Sequence, residues 1–236
     1  MRIRRTRDTT SIIILYGPAG IPFTEKVRRG LLLKGLDYQL REPSGPEDYK
    51  RWNPHTGLLP VLEIDGDRTH DSTDILYRLD ELFPDPPLLA KEPRIAELQQ
   101  QLENWADESF LWYYLQYFRI RDAKVEDDAK NGASRLPGFV RWTLAWFRSG
   151  GTWERPETAI MRGLGDRMDD LVQFLGTRPF FYADQVSMAD LAVYSMLHSM
   201  RNGGIPGATD MLAERPSLER FIERVEEATD PSAQTQ

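Results

Sequence analysis

Four prolines fall within the eleven residues FPDPPLLAKEP (83–93). Proline fixes φ and has no N–H to donate, so neither a helix nor a central strand can run through this stretch. The chain is therefore cut in two, and the patterns on the two sides differ. Before the cut, short apolar runs alternate with amphipathic ones. After it, apolar residues recur every three to four positions: Ile95, Leu98, Leu102 and Trp105, then Ile160, Leu164, Met168, Leu171 and Leu175. That spacing is helical.

The first part reads as β-α-β-loop-β-β-α. SIIILYG is a β-branched run ending at Gly17, a buried strand. PFTEKVRRGLLLKG starts with Pro22 in the first helical position, puts Val27, Leu31 and Leu32 on one face, and closes at Gly35. LDYQLRE is a second strand, followed by a polar loop holding Pro43, Gly45 and Pro46. LPVLEIDG is a third strand ending in an Asp-Gly turn, and RTH begins a short fourth. DSTDILYRLDELF is a helix capped by Asp71 or Ser72, with a buried stripe of Ile75, Leu76, Leu79, Leu82 and Phe83. In the second part, Ser187 and Asp190 have capping-box spacing, SLERFIERVEEA gives a last helix, and the charged stretch 121–138 reads as an inter-helix loop. The sequence thus predicts a small α/β domain, a linker and an all-helical domain.

Composition removes several chemistries. There is no cysteine, so disulfides, thiolate–zinc sites and an enzyme-borne thiol nucleophile are excluded. His55, His70 and His198 have no metal-binding spacing, and no metal is expected. The net charge is −7 and the pI near 5.1, which argues against nucleic acid as a partner. The arm MRIRRTRDTT is the exception, and it reads as an untethered basic tail. No stretch approaches the ~20 apolar residues of a membrane span. A soluble, cytoplasmic chain without membrane partners is expected.

Four stretches, in order, resemble the cytosolic glutathione transferase superfamily over roughly residues 12–225. LYGPAGIPFTEKVR looks like the active-site turn of a thioredoxin-like domain. NPHTGLLPVLEIDG (53–66) is similar to the family's Asn-Pro-to-Pro-Val-Leu segment, in which Pro60 is cis. HDSTDILYRLDELFP (70–84) is similar to the acidic-Ser pair that opens a helix. YADQVSMADLAVYSML (182–197) is similar to the capped core helix of the all-α domain. The resemblance implies a basic arm (1–11), a thioredoxin-like glutathione-binding α/β domain (12–84), a linker (85–93), an all-helical domain (94–228) and a tail (229–236).

The resemblance also assigns roles. Glutathione, as co-substrate, supplies the thiol. Ser72 and the helix N-terminus behind it suit the γ-glutamyl carboxylate, and Asp71 the ammonium. The backbone of Leu59, turned outward by Pro60, can pair with the cysteinyl part like an added strand. Leu58 stands where many members carry Lys or Gln for the glycyl carboxylate. His55, Arg68 and Lys26 are the nearby substitutes, and His55 is taken as a glutathione-binding residue. Ile21 stands where Ser- and Cys-type members keep their catalytic residue. Thiol ionisation is then left to the Tyr16 hydroxyl, the Thr24 hydroxyl or the helix N-terminus itself, with Tyr16 placed ahead of Thr24.

The aromatic run WADESFLWYYLQYF (105–118) offers Tyr113, Tyr114 and Tyr117 as walls for a hydrophobic co-substrate, and FVRWTLAWF (139–147) adds further aromatics. Tyr113 and Tyr114 lie about 100° apart on a helix, so the three tyrosines cannot all face the core, and at least one is free for a pocket or a dimer face. Two functions follow. One is a homodimeric transferase that adds the glutathione thiolate to a hydrophobic electrophile. The other is a non-catalytic glutathione- or ligand-binding protein on the same fold.

Overall fold

The structure, a computed structural model, describes residues 11–129 and 156–230. The first part folds as β1 (Ile13–Tyr16), α1 (Pro22–Leu33), β2 (Gln39–Arg41), α2 (Pro46–Trp52), β3 (Val61–Ile64), β4 (Asp67–His70) and α3 (Ser72–Leu82). The second part is helical: α4 (Pro93–Ala129), α5 (Pro156–Leu175), α6 (Met188–Arg201), α7 (Ala208–Ala213) and α8 (Pro216–Ala228).

The sheet order is β2-β1-β3-β4. β1 and β2 run parallel, and the other two pairs are antiparallel. The β3–β4 hairpin turns on Asp65 and Gly66 at φ 51° and 95°, a conformation that Asp-Gly adopts easily. Side chains of β1 alternate between faces. Ile13 and Leu15 join the main core with Val27, Leu31, Ile75, Leu76 and Leu79. Ile14 and Tyr16 pack on the other face with Val61 and Trp52.

That second face needs a cover, and α2 supplies it through Trp52. The sequence pattern predicts a loop here, and the structure has a helix. Seven residues are too few to display an amphipathic period, and only Asp48 and Trp52 are buried. Two further expectations are corrected. Helix α4 continues to Ala129, so 121–129 is helix rather than loop; Ala, Lys and Glu favour helix there, and no Gly or Pro occurs before Gly132. Leu82 of the α3 stripe is exposed. Residues 130–138 of the expected loop, the aromatic run 139–147, residues 1–10 of the arm and residues 231–236 of the tail lie outside the described residues.

Helix α6 is apolar nearly all round, as a central helix must be. It packs on α1 of the first part and on α4 of the second. Gly30 of α1 lets α3 come close, since a Cβ there would stand 2.6 Å from Leu76 Cδ2, and leaves an ordinary 3.6 Å contact to Leu191 of α6. The N-terminus of α6 is set by the carboxylate of Asp190. It accepts from the N–H groups of Ser187 and Phe181, each at 2.8 Å, and from the Ser187 hydroxyl at 2.6 Å. Its burial pushes the Asp190 carboxyl up to about 6, against these bonds.

Two buried lysines tie the parts together. Lys34 donates to Asp80 (2.9 Å) and to the carbonyls of Phe83 (2.6 Å) and Pro86 (2.9 Å). This fixes the start of the proline segment. Lys26, 0% exposed, pairs with Glu103 and with Asp107 (2.7 Å) of α4, and donates to Thr73 at 3.1 Å and Ser72 at 3.4 Å in α3. Removing one member of such a set leaves an uncompensated buried charge. Lys26→Met is expected to destabilise the protein by about 3–5 kcal/mol, read as a lower midpoint in urea. Replacing Glu103 by Gln and Asp107 by Asn in the same chain should recover part of that loss.

Candidate functional site

Strand register brings three connections to one end of the sheet. Tyr16 pairs with Val61, and Val61 with His70. The β1–α1 turn, the Pro60 loop and the β4–α3 turn are therefore neighbours. They open on a cleft of about 570 Å³ whose far wall is α4.

The loop side is held by Asn53. Its Nδ2 donates to Leu58 O (2.9 Å) and Thr56 Oγ1 (2.7 Å), and its C=O accepts from Gly57 N–H at 2.8 Å. The Leu59–Pro60 bond is cis. Leu59 precedes the β3 ladder, which begins at Val61, so no strand takes up its N–H and C=O. His55, Leu58, Leu59 and Pro60 all line the cleft.

The helix side is the start of α3. Asp71 holds φ at +71° and caps the helix, accepting from Thr73 N–H at 2.8 Å. A non-glycine residue in that region is held there by its surroundings. Ser72 follows, buried, with its oxygen accepting from Lys26. A lysine ammonium only donates, so the Ser72 hydrogen is left to point elsewhere. Asp71 and Ser72 both line the cleft.

From α4 come Asp107, Glu108, Leu111 and Leu115. Asp107 gives Oδ2 to Lys26. Its Oδ1 is buried without a partner. Burial raises the Asp107 carboxyl to about 6. The Lys26 charge and hydrogen bond oppose this, and the charges of Glu103 and Asp71 add to it. Among the described residues, three buried side-chain polar atoms lack a partner: Asp107 Oδ1, His70 Nε2 and Thr24 Oγ1. The first two belong to residues that line the cleft. Buried polar atoms are normally paired, and two of these three belong to residues around one cavity.

Several expected residues are elsewhere. Tyr16 is 2% exposed and faces the α2 side of the sheet. Its hydroxyl donates to Glu63 at 3.2 Å, and the ring lies tilted by 42° against Trp52, centroids 4.8 Å apart. The β alternation that buries Ile13 and Leu15 under α1 sends Tyr16 the other way. Thr24 is buried in the first turn of α1, beneath the β1–α1 turn: a Cβ on Gly17 would stand 2.5 Å from its Oγ1. Tyr113 is buried in the main core, its hydroxyl against Gly163 and Arg167 of α5, so it does not wall the cleft. The side chains of Tyr114 and Tyr117 lie outside the described residues. Of the three substitutes, Lys26 is enclosed by its carboxylates, Arg68 pairs with Glu63 at 2.7 Å over the Tyr16 ring, and only His55 reaches the cleft. Asp107 was missed in the sequence. The available signal was Gln99, Glu103 and Asp107, polar at every fourth position and running beside the apolar Leu102, Ala106 and Phe110. Among the described residues, no acidic or histidine cluster could hold a metal, and no helix is long and apolar enough to cross a membrane.

Comparison with known proteins agrees with this geometry. Residues 15–87 match the glutathione S-transferase N-terminal domain, and residues 154–230 match the C-terminal domain of the same family. Glutathione S-transferase Z2 of Arabidopsis thaliana is 40% identical over 190 residues, 75% of this chain and 71% of that protein. Glutathione S-transferase Z1 of the same plant is 42% identical over 74 residues, which span 28% of this chain but only 33% of that protein. Among solved structures, a glutathione S-transferase from Methylobacterium radiotolerans in complex with glutathione sulfonate has a TM-score of 0.67 at 24% identity, covering 94% of this chain and 92% of its own. That likeness establishes the fold: a four-stranded mixed sheet with its helices, joined to a helical domain. The chain belongs to the glutathione S-transferase family.

Proposed function

We propose that the cleft holds glutathione and presents its thiolate to a hydrophobic electrophile. The observation that carries this reading is the buried, unpartnered Oδ1 of Asp107, a residue that lines the same cavity as Ser72 and the start of α3. An amino-acid head group has a cation and an anion close together. Asp107, with Asp71 beside it, suits the ammonium. The Ser72 hydroxyl and the first N–H groups of α3 suit the carboxylate. The free backbone of Leu59 suits the cysteinyl amide, and His55 the glycyl carboxylate. Lys26 acts as a positioning residue, since it occupies the Ser72 oxygen and leaves the hydrogen for the ligand.

The reaction needs the thiol ionised and held near the electrophile. The proton leaves to solvent, sulfur bonds to the electrophilic carbon, and the leaving group or opened ring takes the electron pair. Neither hydroxyl lines the cleft, and of the two Thr24 is the less engaged. Its oxygen lacks a partner, whereas the Tyr16 hydroxyl is engaged by Glu63. The start of α1 adds its own positive end. The family resemblance further supports a cytoplasmic homodimer, and sedimentation at micromolar concentration should give twice the 27.3 kDa chain mass.

Ile21, exposed at the position where other members keep a catalytic hydroxyl or thiol, favours a second reading as a binding protein. Calorimetric titration with glutathione near pH 7, in two buffers of different ionisation enthalpy, separates the two. Binding with proton release is the expected result, and Thr24→Ala should then lower kcat more than Tyr16→Phe. Binding without proton release supports the non-catalytic reading. No binding at millimolar glutathione ends the transferase reading and leaves, on this fold, only a binding protein for another ligand.

Acidity gives a further test. The ammonium needs Asp107 ionised, so glutathione affinity should rise as pH increases through about 6. Below that value the limiting slope is about tenfold per pH unit. Asp107→Asn should flatten this part of the profile. For folding the sign is reversed. A carboxyl whose native pKa is raised favours the native state when protonated, so this contribution is lost between pH about 4 and about 6.

A further inference from the structure

The outer half of the cleft carries a charge that glutathione leaves unanswered. Helix α4 lays Asp107, Glu108, Leu111 and Leu115 along the cavity, with Leu111 and Leu115 both exposed. Phe23 and Leu58 face them from the first part. These side chains form an aliphatic mouth with one phenyl ring. Within it, Glu108 is exposed and has no ion-pair partner among the described residues. No arginine or lysine lines the cleft among those residues. Lys26, the nearest buried cation, lies behind Ser72 with its charge matched by Glu103 and Asp107.

With glutathione seated, its ammonium answers the carboxylates at the inner end. Glu108 is left beside the incoming electrophile. A like charge about 6 Å away at an effective dielectric of ~40 changes an association constant by about tenfold. We propose that this cleft selects uncharged electrophiles and turns away those bearing a carboxylate, with Glu108 as the residue that sets the preference. The proposal rests on glutathione occupying the inner end of the same cleft.

The test uses the full-length protein at pH 8, with 4-chloro-3,5-dinitrobenzoate and its methyl ester. In each reaction the glutathione sulfur bonds to the ring carbon that carries chlorine. Chloride leaves with the C–Cl electron pair, and the thiol proton goes to solvent. Each kcat/KM is divided by the rate constant of free glutathione with the same compound, which removes intrinsic reactivity and the charge on glutathione itself. The ester is expected to be favoured about tenfold. Glu108→Gln should narrow that ratio to about threefold or less, and Glu108→Lys should invert it. Added salt should narrow it in the wild type and have little effect on the ratio in Glu108→Gln, since an exposed charge is screened. Equal treatment of acid and ester by the wild type overturns the proposal, as does a ratio that Glu108→Gln leaves unchanged. Where glutathione binds but turnover is absent, the two S-aryl glutathione products serve as calorimetric ligands, and the same ratio is read from their Kd values. Failure of glutathione itself to bind overturns the parent reading instead, and this one with it.

Discussion

One ammonium group holds the site and the two halves of the chain in register. Lys26 leaves α1, reaches two residues at the start of α3, and meets two carboxylates of α4. Buried charge of this kind is poor value as glue, because apolar side chains of similar volume do as well or better. Its use here is geometric. Hydrogen bonds from a donor-only group decide which atoms of Ser72, Thr73 and Asp107 remain available. Thr73 passes its own hydrogen to Glu103 at 2.6 Å. Ser72 and Asp107 Oδ1 are what is left over, and both belong to residues on the cleft wall.

The sheet does the coarse positioning. Antiparallel pairing of β1, β3 and β4 brings the end of one strand, the beginning of the next and the end of the third to one edge. Three short connections, none of which touches another in sequence, become the walls of one cavity. The helical half then closes it with α4, which α6 presses into place from behind. The chemistry is thus spread over loops whose positions are dictated by hydrogen-bond register, while the core beneath them is ordinary apolar packing.

Much of this was legible in residue order. The prolines at 83–93 marked the change of pattern, Asp-Gly marked the hairpin, and Ser187 with Asp190 marked the central helix. Each rests on local chemistry, which a sequence displays directly. What was illegible depended on distance. The α2 helix is seven residues long and is defined by the sheet face it covers. Tyr16 looked like a site residue because it ends a strand beside the active turn, yet strand alternation points it to the far face. Tyr113 looked like a wall and is core, because α5, which it packs against, lies more than forty residues further along the chain. Asp107 was hidden among aromatics, and only its pairing with a lysine some eighty positions earlier gives it meaning.

The proline segment has a consequence for how the molecule moves. Its start is bound by Lys34. Its Leu88 N–H reaches Asp80 at 2.8 Å, and the Leu88 carbonyl accepts from Met188 at 2.8 Å. A connection fixed at its start and again at its middle is a strut, not a tether. Among the described residues, these bonds hold the connection against both halves, with Ala90 N–H also donating to Gln99 of α4 at 2.8 Å.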